Sequence, residues 1–303
     1  MSLEVNGENK KYKNPSAPRY IGGILVANAA SSAVGIPGKI INPKLTAQMA
    51  KISDGLSKDE FARLQKGIVQ AFDKTNLKSK GVEILRATSD NIDTVSETIK
   101  ANTNVGLAKF LPKKIKDMLS SILGSVMSNG TNACYVDQAK KIILPETKLN
   151  LAFFHEAGHA LNANMSVIGK ALQKSRSLSM LMIPIALIAL FKNKKAPGEK
   201  PKNGVDKATT FIKDNAGKLA FLTFVPTLLE EGMATLKGNK LAKEVLSKDM
   251  AKKVAKTNAM GFATYAILAA GAALSVYVTK KIKDAIASRK EVTPDKKEEV
   301  KKA

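Results

Sequence analysis

Phe153-Phe154-His155-Glu156-Ala157-Gly158-His159 contains both histidines of the 303-residue chain, four positions apart with an acid directly after the first. On a helix this spacing puts both imidazoles on one face, close enough to hold a single metal ion. Glu156, turned about 100° from His155, can still reach the open side of that ion. Two histidines and a glutamate fall in this order by chance in roughly 1 of 3,000 chains of such composition, so coincidence is a poor explanation. A zinc ion needs a third protein ligand, and with no other histidine a carboxylate is the candidate donor. Further along, Leu228-Leu229-Glu230-Glu231-Gly232-Met233-Ala234 sets two acids in an otherwise apolar run. A carboxylate buried there is costly unless a cation offsets it, and neighbours on a helix point about 100° apart, so at least one of Glu230 and Glu231 faces inward.

Outward from the histidines, Ala133–Val136 and Lys140–Leu144 are short β-prone runs joined by Asp137, Gln138 and Ala139, a hairpin ending at Pro145. Thr147 can cap the helix that follows, starting near Lys148. Upstream, Ser57–Phe72 repeats its apolar positions every three to four residues and opens with the capping-box pair Ser57 and Glu60. Gly81–Ala87 predicts a strand, and Leu107–Met127 a helix broken before Pro112. Residues 1–19 read as a flexible basic leader, 20–132 as a mixed, mostly helical region, 133–238 as the region holding both motifs, 239–290 as C-terminal helices and 291–303 as a charged tail. The expected class is mainly α with a small β-sheet (α+β).

Three stretches speak for a bilayer. Ser177–Phe191 is uncharged and mostly large apolar, covering about 22 Å as a helix, short of a hydrocarbon core of about 30 Å. With the apolar helix through Leu219, Phe224 and Leu229 it can form a hairpin dipping into the membrane. Ala259–Val278 matches one crossing and is rich in small residues. Tyr20–Gly38 is also uncharged, but Gly22, Gly23, Asn28 and Pro37 interrupt it, so membrane contact, burial and a cleaved signal all stay open for it. Basic residues flank every apolar segment on both sides, so charge asymmetry assigns no orientation.

Lys plus Arg number 49 against 26 Asp plus Glu, a net charge of +23 that favours phosphate, anionic lipid or acidic partners. Only Arg19, Arg63, Arg86, Arg176 and Arg289 are arginines and there is no tryptophan, which disfavours sequence-specific nucleic-acid recognition. The single cysteine, Cys134, excludes an internal disulfide.

HEAGH followed by EGMA resembles the gluzincin metallopeptidases, and the apolar segments between the motifs resemble their membrane-embedded CAAX-processing and heat-shock branches. The resemblance covers about Ala133–Thr235. It implies a zincin-like core, zinc on His155, His159 and Glu231, Glu156 as general base, Glu230 as a neighbour, and a peptide or protein substrate at a membrane. Where that branch commonly has an Asp after the Ala, this chain has Thr235. Gluzincins often steady the oxyanion with a His or Tyr; Tyr135 is the nearest tyrosine in sequence. Lys140–Leu144 is the expected edge at which substrate adds as an extended strand. No P-loop pattern occurs, so an ATP motor is excluded. Two other classes compete with the peptidase: a non-catalytic membrane scaffold with a relic metal site, and a basic binder of polyanions or anionic lipid.

Overall fold

The computed structural model describes residues 12–104, 106–128, 132–146, 150–196, 198–288 and 290–291. The chain is mostly helical with a small sheet, as its composition and periodicity predict. It divides into two compact units.

The unit that carries the motifs comprises Ile36–Met182 and Phe221–Ala272. Its sheet has three strands, β2 (Glu83–Ala87), β3 (Cys134–Val136) and β4 (Lys141–Pro145), in the order β2-β4-β3. The hairpin forms as expected, with β3 antiparallel to β4, and Lys140 takes a left-handed φ of 51° in its turn. β4, however, is the central strand, because β2 pairs with it in parallel on its other side. The expectation that Lys140–Leu144 forms an open edge is therefore wrong. Ile142 and Leu144 face one core and Ile143 the other, all fully buried, and that two-sided burial is why the run is continuously apolar.

Against one face of the sheet lie α3 (Lys58–Lys74), α6 (Phe153–Met165) and parts of α10 (Ala216–Val245) and α11 (Lys248–Ile286), through residues such as Leu64, Phe154, Leu241 and Val254. Against the other lie α4 (Ile92–Lys100) and α5 (Lys113–Ser128), through Val95, Ile99 and Met127. The Ser57 hydroxyl accepts from the Glu60 amide at 3.1 Å and the Glu60 carboxylate accepts from the Ser57 amide at 3.0 Å, so the capping box starts α3 where the sequence predicts. Thr147 and Lys148 lie outside the described residues; a 3-10 turn, Asn150–Ala152, leads into α6. α2 (Ile36–Asp54) and α7 (Val167–Ser175) complete this unit.

The second unit gathers Met1–Gly35, Ile183–Ala220 and Ala273–Ala303. A two-residue strand, β1 (Tyr12–Lys13), pairs with β5 (Lys290–Glu291), and α1 (Ala17–Val34) begins within the expected leader, where Pro18 suits a first helical turn. The rest of the leader and nearly all of the charged tail lie outside the described residues. Ser177–Phe191 is not one helix: a 3-10 segment, Arg176–Leu181, gives way to α8 (Met182–Phe191), with Pro184 in the first turn of the new helix. α9 (Gly204–Asp214) follows the lysine-rich loop. Two buried ammonium groups, Lys213 and Lys283, both donate to the Lys192 carbonyl just past the end of α8; Lys283 reaches it at 2.7 Å. There they satisfy an orphan C-terminal carbonyl and oppose the negative end of the helix dipole.

Among the described residues, four stretches are long and apolar enough to cross a membrane: Ala17–Asp54, Val167–Phe191, Ala216–Val245 and Lys248–Ile286.

Candidate metal centre

Two glycines set the distance between the helices that carry the motifs. A Cβ on Gly158 of α6 would run into the backbone of Ala234 in α10, and one on Gly238 of α10 would run into the Phe154 carbonyl. The two helices therefore pass backbone against backbone, which lets short side chains on facing turns meet. Asn162 locks the crossing by donating to the Glu230 carbonyl at 3.2 Å and to its carboxylate at 3.0 Å.

At the crossing, His155, His159 and Glu231 bring one donor atom each to a common point, all three side chains buried. His155 Nε2 lies 3.0 Å from Glu231 Oε2, the two Nε2 atoms are 3.0 Å apart, and His159 Nε2 is 3.4 Å from Glu231 Oε2. A four-coordinate ion with bonds of about 2.0–2.1 Å sets its ligands about 3.3 Å apart, so the group is already spaced for one small ion.

The pair of acids is now distinguishable. Glu231 turns one oxygen to the Nε2 side of the histidines, whereas Glu230 takes the other side: His159 Nδ1 donates to Glu230 Oε1 at 2.8 Å. That contact fixes the tautomer and leaves the Nε2 lone pair for a metal. On His155 the corresponding neighbour of Nδ1 is the Thr235 hydroxyl, 3.4 Å away, in the position after the Ala of the second motif.

Arg176, which the sequence reading passed over, closes the group from behind. Its Nη1 donates to Glu230 Oε2 at 2.8 Å and its Nη2 to Glu231 Oε1 at 2.7 Å. Its guanidinium also lies over the ring of Tyr265 on α11, 5.7 Å from the ring centroid. The one available sequence signal was an arginine heading an apolar run whose other flanks are all lysine.

Charge then limits what the site can hold. Glu156, Glu230 and Glu231 are 7%, 0% and 0% exposed, giving −3 if ionised, and Arg176 supplies +1, which leaves −2. A divalent cation neutralises that remainder; a monovalent one does not. Burial opposes charge on His159, but the Glu231 and Glu230 carboxylates outweigh it and push the imidazole up to about 10.

Beside the three donors lies a cavity of about 450 Å³ whose wall includes His155, Glu156, Tyr265, Asn42, Thr46 and Ala133. Glu156 thus lines the same cavity as its neighbour His155. Tyr135 does not reach the cavity wall: its hydroxyl accepts from Asn164 at 2.9 Å. Tyr265 occupies the wall instead, a residue that nothing in its small-residue surroundings singled out. Cys134 is a free, half-buried thiol; burial, then the charge of Glu156, pushes its pKa up, so it stays protonated and unreactive.

The arrangement could hold a metal ion beside a cavity that the Glu156 carboxylate also lines. Compared with family models, curated proteins and solved structures, the chain finds no match in any of the three.

Proposed function

We propose that this chain is a membrane-associated zinc metalloendopeptidase of gluzincin type. The observation that carries the reading is the convergence of His155, His159 and Glu231 at ligand spacing, with Glu156 on the cavity side of the same helical turn. Two imidazoles and one carboxylate with an open fourth position are a donor set typical of catalytic zinc.

Held by His155, His159 and Glu231, a zinc ion would supply Lewis acidity toward a peptide carbonyl and lower the pKa of a water toward about 7. Glu156 would accept a proton from the attacking water and return it to the departing amine nitrogen. Glu230 keeps His159 in the tautomer that ligates. Tyr265, on the cavity wall, is placed to donate to the carbonyl oxygen as charge develops there. An extended substrate adds at the free edge of β3, since β4 is paired on both sides and Ala133, just before β3, borders the cavity.

The bilayer enters because the candidate spans carry exposed apolar side chains such as Leu25, Ile183, Leu187 and Phe191, all around half exposed or more. A zincin-like core fits the hairpin followed by the motif helix.

The test is metal content and hydrolysis of a peptide library by the full chain in detergent micelles. Wild type is expected to hold about one zinc and cleave, Glu156→Gln to hold zinc without cleaving, and Glu231→Gln to lose both. A Glu156→Gln chain that retains every activity of wild type would favour the scaffold reading instead, and a wild type that binds no zinc at neutral pH defeats the proposal.

A further inference from the structure

We propose that Arg176 is a positioning residue of the metal centre, holding Glu231 to a single ligating oxygen; this rests on the zinc reading above. Adjacent side chains on a helix diverge by about 100°, so Glu230 and Glu231 do not by themselves serve the same pair of histidines. The guanidinium fork spans them. Glu231 gives Oε1 to Arg176 and keeps Oε2 for the histidine Nε2 atoms; Glu230 gives Oε2 to Arg176 and keeps Oε1 for His159 Nδ1. Each carboxylate is thus divided between arginine and histidine, and the contacts close a ring through Arg176, Glu230, His159 and Glu231.

With Oε1 engaged, Glu231 cannot swing to bind an ion through both oxygens. A second oxygen would fill the position that water needs. A point charge could neutralise the two acids, but a lysine ammonium has no planar fork and cannot hold two carboxylate oxygens at fixed spacing. The role therefore belongs to the shape of arginine as well as to its charge. Arg176 is not itself placed to touch a reacting atom; it acts through Glu231.

The experiment compares wild type, Arg176→Lys and the double variant Arg176→Met with Glu230→Gln, all as full-length chains in micelles. The double variant removes the arginine together with one of the two carboxylate charges it pairs, so it stays informative if the lysine variant fails to fold; Glu230→Gln alone is the control for the lost contact with His159, and a double variant no weaker than that control overturns the inference. Zn²⁺ affinity is measured by chelator competition, and Co²⁺ is substituted to read coordination from its visible spectrum. Wild type is expected to give an intense four-coordinate Co²⁺ spectrum. Both variants are expected to bind Zn²⁺ roughly 10- to 100-fold more weakly, with the weaker, blue-shifted bands of a five-coordinate ion. Wild-type affinity and spectrum in either folded variant overturn the inference and leave the zinc reading intact. Absence of metal binding in wild type overturns both.

Discussion

Gly158→Ala adds one methyl group at the helix crossing, and its effect follows from the space around that glycine. The new Cβ would sit 2.9 Å from the Ala234 Cα and closer still to that residue's carbonyl carbon and oxygen. Ordinary carbon contacts need about 3.5–4.0 Å, so α6 and α10 must part by roughly 1 Å, and backbone cannot step aside as a long side chain can. Overpacking of this kind costs about 1–3 kcal/mol, from which about 1 kcal/mol is recovered because alanine favours helix over glycine. The larger consequence is at the site. Donor separations of 3.0 and 3.4 Å would stretch to roughly 4 Å or more, too wide for one small ion. Chelator-competition titration is expected to show Zn²⁺ affinity falling at least about tenfold, with a modest loss in the thermal midpoint of the metal-free chain. Gly232→Ala is the control. Gly232 belongs to the second motif and adjoins Glu231, yet a Cβ there meets only Phe262 at an ordinary 3.8 Å. It should leave zinc binding unchanged and add up to about 1 kcal/mol of stability. If Gly158→Ala binds zinc like wild type, or if the two variants behave alike, the backbone-contact argument is wrong.

Stripping metal with a chelator is expected to lower the thermal midpoint of wild type and Glu156→Gln but not of Glu231→Gln; zinc at 1,000 times its Kd is worth about 4 kcal/mol to the folded state. Ile142→Ala and Ile143→Ala should each cost about 2–5 kcal/mol in denaturant melts, because both faces of β4 are buried; an Ile143 variant within about 0.5 kcal/mol of wild type would return β4 to an exposed position. Asp206 is held well below the usual carboxylate range by hydrogen bonds from Lys192 and Lys195 and from the Lys202 amide. Its contribution is therefore fully present above the unfolded value of about 3.9 and is lost as pH falls below it. Asp206→Asn should lower stability near neutrality and flatten the acid limb of the profile, so that variant and wild type converge at low pH; a variant as stable as wild type at pH 7 would refute the assignment.

The members of the candidate metal group were legible because helix geometry translates directly into spacing: two histidines four apart share a face, and an acid inside an apolar run asks for a compensating cation. Which of two adjacent acids ligates was not, since that depends on how α10 is rotated against α6, a tertiary quantity. Arg176 and Tyr265 reach the site from the junction after α7 and from α11, and long-range convergence leaves no local period to read. The error over β4 was avoidable. A strand with one wet face alternates, whereas Lys141-Ile142-Ile143-Leu144 has three apolar residues in succession, a pattern that asks for cover on both sides. Pro184 likewise marks where Ser177–Phe191 divides, because a proline is easily accommodated in a first turn and poorly in a helix interior.

The two ammonium groups that meet at the Lys192 carbonyl also make the second unit observable in a mixture. Amines shielded this completely, 1% exposed at Lys213 and 0% at Lys283, should resist acylating reagents that modify the many solvated lysines within seconds. Peptide mapping after such labelling would find these two positions blank while α8, α9 and the end of α11 stay assembled. Their appearance in the map would report loosening of that unit before any change in total helicity.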